Sequence, residues 1–200
     1  MRKRGLELSL TVLVLIILTI IIFISGIALV WRFFASAEEI KDGIEQSTKE
    51  QIETLLRQGN ELVAIPINTK AVTPGNEAVF GLGIRNIDAA QDFHILTDFA
   101  GIYDTRGKAL QVGYDEAHIT DTWLGTFREQ GPVPIERNKY EVVPLRVRAG
   151  ETISAGQPTP RNAIAAFNVC VFNSQPLPDA KCVIGQTVYD NIHQIFVEIK

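Results

Sequence analysis

Between Leu8 and Trp31 the chain runs for 24 residues without a charged side chain. No other feature limits the fold as much. A helix of that length rises about 36 Å, and a bilayer's hydrocarbon core is about 30 Å thick. In lipid, backbone amides must be satisfied within the segment, so even this Val- and Ile-rich run is expected to be helical. A buried core helix this long would carry a polar face, and this one has none. Arg2, Lys3 and Arg4 precede the span, whereas only Arg32 follows it before Glu38 and Glu39. That bias puts residues 1–7 in the cytoplasm as a basic tail and everything after Trp31 outside. Trp31, Phe33 and Phe34 suit an aromatic belt at the outer interface, with Arg32 snorkelling to headgroups. Membrane lipid is therefore the expected partner of residues 8–31.

The whole-chain averages, 46% hydrophobic residues and a net charge of -4, conceal this division. They exclude a disordered or collagen-like chain. Residues 33–200 carry 15 basic and 22 acidic side chains, a net charge of -7. That sign argues against binding nucleic acid or an anionic lipid surface. Cys170 and Cys182 lie in the exterior part, where a disulfide can persist. They flank Pro176 symmetrically, so a hairpin would place the two thiols opposite each other. With no Cys-x-x-Cys and no neighbouring histidine, the pair reads as structural rather than as a redox or zinc site.

The N-terminus admits three readings. One is an uncleaved signal anchor. Another is a secretory signal peptide cut after Ala35-Ser36-Ala37, although the apolar region far exceeds the usual 7–15 residues. The third comes from Arg2-Lys-Arg-Gly5 directly ahead of the apolar helix, which resembles the class III signal of archaeal type IV pilins and archaellins. The resemblance covers about the first 31 residues. It implies cleavage between Gly5 and Leu6, with the apolar helix kept on the mature subunit. Glu7 would then be the second mature residue, whereas bacterial-type pilins carry a glutamate at the fifth, so Glu7 reads as an interfacial residue.

Residues 32–59 are expected to form an amphipathic stalk, helical from Ala35 to Gln58 and stopped by Gly59-Asn60. Ile40, Ile44, Ile52, Leu55 and Leu56 make a narrow apolar stripe. It can pack on the chain's own domain or on the same helix of a neighbouring subunit. Glu45–Lys49 and Glu53–Arg57 are i,i+4 ion pairs in the favourable order.

From residue 60 onward short alternating runs separated by turns predict an all-β antiparallel sandwich over 60–200. Glu61–Asn68 reads as an edge strand because of Pro66. Phe80, Leu82 and Ile84 alternate with Gly81, Gly83 and Arg85. Phe93–Tyr103 reads as a further strand. Val143, Leu145 and Val147 point inward, with Arg146 and Arg148 to solvent. Ala163–Phe172 is apolar on both faces, as a central strand would be, and Ile195, Val197 and Ile199 alternate near the end. The Pro74-Gly75-Asn76 turn before a strand ending at Asn86 resembles the immunoglobulin-like repeats of archaeal surface proteins. Residues 104–137, rich in Gly and Pro, read as a long insertion. Long loops are more often functional than spacer, so Asp115, Glu116, His118, Asp121 and Trp123 are the candidate contact residues.

Nothing points to catalysis. His94, His118 and His193 sit in no metalloprotease motif, and there is no nucleophile elbow, Walker or dinucleotide glycine pattern. The acidic residues around His118 match no EF-hand loop. No catalytic residue, metal ligand or cofactor is therefore expected. The leading reading is a membrane-anchored extracytoplasmic structural or adhesive surface protein. Its sharpest form is a pilin-like filament subunit, with like subunits or other surface proteins as partners. The alternative is a monomeric anchored binding module contacting the cell-surface layer, similar in layout to archaellum stator proteins. An anchored hydrolase is third and disfavoured.

Overall fold

The computed structural model describes residues 14–23, 44, 46–110, 113–177, 180–183 and 188–200. The chain divides into two compact units, Met1–Asp42 and Gly43–Lys200. In the first, residues 14–23 lie in a helix, α1, and all ten are exposed. Among the described residues no helix is long and apolar enough to cross a membrane. The rest of the expected span 8–31 lies outside the described residues. So do the Gly5–Leu6 processing site, the Trp31, Arg32, Phe33 and Phe34 anchors, Ile40, and Glu45 with its ion pair.

The second unit is a β-sandwich carrying a helix. α2 (Gln46–Gln58) is followed by β1 (Val63–Ala64), β2 (Thr69–Val72), β3 (Glu77–Arg85) and β4 (Gln91–Asp104). After a helical insertion come β5 (Glu129–Ile135), β6 (Tyr140–Arg148), β7 (Thr152–Ser154), β8 (Gln157–Pro158), β9 (Ala163–Phe172) and β10 (His193–Ile199). One sheet has the order β1-β3-β6, the other β2-β10-β9-β4-β5, and β7 and β8 form a separate hairpin. Within the two sheets every pairing is antiparallel except β2 with β10. This order, with a split first strand whose second half runs parallel to the last, is the immunoglobulin-like arrangement. The parallel pair departs from the wholly antiparallel expectation, and its cause is Pro66. Without an N–H, Pro66 cannot continue the ladder begun by Val63 and Ala64. The chain leaves one sheet there and joins the opposite one at Thr69, so 61–68 is not one continuous edge strand.

Period-two alternation sets the core. Ala78, Phe80, Leu82 and Ile84 of β3 face Phe167, Val169, Ile195 and Val197 across the sandwich, all buried. On its other face β3 presents Gly81 and Gly83, and α2 lies over them. A Cβ built on Gly81 would stand 2.9 Å from Ile52 Cδ1 and 3.2 Å from Ile44 and Thr48, and one on Gly83 would overlap Ile52 and press on Leu56. The glycines thus form a channel that admits the helix stripe. Ile52 and Leu56 are fully buried, with Leu55, Tyr140 and Val142 packed alongside. Of the stripe's described residues, Ile44, Ile52 and Leu56 are therefore taken up by the chain's own sheet. Glu53 and Arg57 pair at 3.0 Å on the exposed side.

β9 is buried on both faces for a matching reason. Its second face, Cys170 and Phe172 beside Leu96 of β4, is covered by Cys182 and the half-buried Ala180, Val188 and Ile192. Arg146 does not point to solvent as expected: its side chain is 15% exposed, 3.5 Å from Glu77, with its guanidinium over the Phe127 ring. The end of the sandwich is organised by Asn86, which is fully buried. Its amide donates to Ala89 O and Ile135 O and its carbonyl accepts from Asp88 N and Gln91 Nε2. Tyr189 packs edge-on against Phe93 and donates its hydroxyl to Arg85 O at 2.9 Å.

Two predictions follow from this packing. Gly83→Ala should lower stability by about 1–3 kcal/mol, because an added methyl in a filled contact forces side chains off their rotamers. Gly113→Ala, which meets nothing closer than Gln157 Oε1 at 3.8 Å, should change it by less than about 0.5 kcal/mol. Thermal unfolding of the two variants is the check. Burial raises the Tyr189 pKa above the ordinary tyrosine value, aided by Asp88 and Asp190 and opposed by the Ile87 backbone contact and Arg85. A raised folded pKa means the neutral phenol is favoured on folding. Its contribution is fully present below about pH 10, the unfolded value, and is lost as pH rises through the folded one. Tyr189→Phe should flatten that alkaline limb in unfolding measured between pH 8 and 11.

Candidate functional site

The insertion is shorter and more ordered than its composition suggests. β4 continues to Asp104, whose Oδ1 accepts from Arg106 N at 2.9 Å and Lys108 N at 2.8 Å, closing a turn. Asp115 then caps a short helix, α3 (Glu116–Ile119), accepting from Ala117 N and His118 N. One π turn, Thr120–Leu124, and one 3-10 turn, Gly125–Phe127, complete it. Residues 129–135, expected to be loop, form strand β5 instead. Gly131, Pro132 and Pro134 are tolerated there because β5 is the outermost strand of its sheet, where missing donors cost little.

This helical insertion is a plug. Ile119, Trp123 and Leu124 are buried in the main core. Trp123 is 1% exposed, lies 6.3 Å from Phe167 between ring centroids, and donates Nε1–H to Thr152 O at 3.2 Å. It fits because residue 150 is glycine, where a Cβ would collide with the indole. Trp123 is therefore not a surface contact residue as expected. Its size and apolar area are spent on closing the end of the sandwich. His118 is half-buried with Nε2 3.0 Å from Thr152 Oγ1, so it too is committed to the β7 hairpin.

The outer side of the plug meets the disulfide loop. Cys170 and Cys182 are bonded, with Cα atoms 5.6 Å apart. Asp98 on β4, its side chain 12% exposed, accepts from Arg128 Nε at 3.0 Å and from Cys182 N at 2.6 Å. Arg128 also donates to Ala180 O at 2.9 Å and to Glu129 Oε1 at 2.7 Å, and Asn168 Nδ2 donates to Cys182 O. Lys181 reaches Glu116 at 3.0 Å from the other side. Asp98, Glu116, Ala117, Thr120, Asp121, Arg128 and Lys181 together line a cleft of about 390 Å³. Of the five expected contact residues, Glu116 and Asp121 border this cleft, Asp115 lies at its helix cap, and His118 and Trp123 face inward. Asp98 and Arg128 were not singled out from sequence. The signal was a polar Thr97-Asp98 pair inside the otherwise apolar stretch 95–102 of β4.

The cleft is a polar surface whose charges are mostly matched internally. Asp98 and Glu116 each hold a cation, so the arrangement positions hydrogen-bonding groups rather than activating a nucleophile. Among the described residues no three His, Cys, Asp or Glu side chains stand close enough to share a metal ion.

No protein-family model matches the chain, and no curated protein does. Among solved structures it is similar to the CARDB domain of a Pyrococcus furiosus protein, solved in complex with di-metal ions. That likeness has 8% identity and a TM-score of 0.33 over 69% of this chain and 84% of that one. The class 5 fimbriae chaperone CfaA shares 11% identity with a TM-score of 0.33, over 68% of this chain and 54% of the chaperone. The sporulation control protein Spo0M from Bacillus subtilis shares 14% with a TM-score of 0.34, over 68% and 47%. Likenesses this distant carry no functional weight, and the immunoglobulin-like assignment rests on the strand order itself.

Opening the disulfide should cost roughly 3 kcal/mol in the chain-entropy description of so short a loop. The expected result is a lower denaturation midpoint for the chain in reductant, matched by a Cys170→Ser/Cys182→Ser variant that reductant no longer affects.

Proposed function

We propose that the chain is a single-pass, membrane-anchored extracytoplasmic surface protein, structural or adhesive in role. Residues 8–31 are its anchor and the immunoglobulin-like domain is its exterior part. The observation that carries this is the state of residues 14–23. All ten are helical and exposed, and nine are Val, Leu, Ile or Phe. The one polar side chain, Thr19, donates its hydroxyl to Leu15 O at 2.8 Å. Such a segment is costly in water and suited to lipid, where every polar group must find a partner within the helix. The disulfide supports the same side of the membrane, since such bonds persist in oxidising compartments.

A pilin-like filament subunit is the sharpest form of this reading, and it rests on the Arg2-Lys-Arg-Gly5 signal. A monomeric anchored binding module is the second. The burial of Ile44, Ile52 and Leu56 favours it, because those side chains are not open to a neighbour's helix. Any shared helical core would have to be built from residues ahead of α2.

Intact-mass analysis of the protein from membranes and from sheared surface material separates the readings. A chain starting at Leu6 and present in the sheared fraction is expected of the filament. An unprocessed chain confined to membranes is expected of the module and sinks the filament. A chain starting at Glu38 would overturn the anchor itself.

A further inference from the structure

The exterior part of the chain is acidic, yet one cleft on it is lined by cations without a carboxylate. Arg57, Arg85, Asn138, Lys139 and Tyr140 enclose about 270 Å³ where the end of α2 meets the turn between β5 and β6. The backbone under these side chains is pinned. Arg85 N donates to Leu62 O, and Arg85 O accepts from Tyr189. On the opposite wall, Asn138 N donates to Asn86 O, and Lys139 O accepts from Asn86 N.

The guanidinium of Arg85 is aimed by one hydrogen bond, Nη1 to Leu56 O at 2.8 Å. Among the described residues neither Arg85 nor Lys139 makes an ion pair with a carboxylate. Arg57 pairs with Glu53 and lies over the Tyr140 ring, 5.5 Å from its centroid. Arg85 and Lys139 differ in this from Arg128 and Lys181 at the Asp98 cleft, which already hold carboxylate partners.

We propose that this cleft binds the carboxylate of a hydroxyl-rich acid, of which the uronate unit of an acidic polysaccharide is the simplest example. Arg85 and Lys139 supply the charge-assisted donors a carboxylate needs. Asn138 and Tyr140 line the same cleft, and their side chains carry an amide and a hydroxyl, neutral groups of the kind ring hydroxyls use and a bare inorganic anion would not. The volume lies below the roughly 300–1,000 Å³ typical of drug-sized pockets, so it suits a single sugar-sized unit. This inference does not depend on whether the chain forms filaments.

The test is calorimetric titration of the full chain in a non-ionic detergent with oligogalacturonate, a neutral trisaccharide and inorganic phosphate. Saturable binding of oligogalacturonate is expected, with the neutral sugar silent and phosphate much weaker. Arg85→Gln and Lys139→Gln should each weaken it about tenfold or more, the loss of one charge-assisted contact. Lys181→Gln, the same charge change at the other cleft, should leave it unchanged. Because Arg85 also holds the end of α2, the exposed Lys139→Gln variant, with its unfolding midpoint unaltered, carries the test. No saturable binding, an equal loss from Lys181→Gln, or phosphate binding as tightly as the uronate would overturn the proposal.

Discussion

A two-sheet sandwich buries the faces between its sheets and leaves two outer faces to be reconciled with water. In this chain both outer faces are covered, and most of the domain's individuality follows from how. On one side the cover is α2, seated because β3 carries glycine at two successive outward positions. On the other it is the disulfide loop, which lies over Leu96, Cys170 and Phe172. The two covers differ in physics. α2 is held by close packing, since its side chains occupy the volume where Gly81 and Gly83 would otherwise carry a Cβ. The loop is held by a covalent bond and by Asp98, which accepts from both the loop backbone and Arg128. Packing tolerates little change of volume. A loop too short to build a core of its own needs a bond and directed polar contacts.

Several elements were legible in the sequence because a single local rule decided them. The alternation through Phe80, Leu82 and Ile84 placed β3, and the run Ala163–Phe172 announced a strand buried on both faces. Cys170 and Cys182 were readable as a pair from their symmetry about a proline. What could not be read locally was decided by tertiary context. Gly131, Pro132 and Pro134 look like loop in any window, and become strand only because β5 has a free edge. Trp123 sits in a polar stretch, so its burial depended on Gly150, 27 positions along the chain. Of the candidate contact residues, Glu116 of α3 and Asp121 of the π turn border a cleft. Asp98 and Arg128, which shape that cleft, had no short motif to betray them.

Arg146 shows why a strand's outward face is not the same as its wet face. Alternation correctly sent it away from Val143, Leu145 and Val147. Yet the outward side of β6 is flanked by the 3-10 turn that carries Phe127, and the guanidinium lies over that ring with Glu77 nearby. Long cationic side chains cover apolar surface with their stems and keep the charge at the margin. The same behaviour sets Arg57 against Tyr140. Period-two reasoning assigns sides. It does not assign solvent.

Charge separates the two clefts in a way that area or volume does not. At Asp98 and Arg128 the opposite charges meet within the chain, are largely desolvated, and lend rigidity to the loop they join. A ligand there would have to displace partners already in place, and removing one member of such a pair leaves an uncompensated charge. At Arg85 and Lys139, among the described residues, no carboxylate stands in that position. Arg85 donates there only to the neutral carbonyl of Leu56, so an incoming anion would not have to break an internal ion pair. That asymmetry makes the first cleft a fastener and the second the better place to look for a ligand on an otherwise acidic domain.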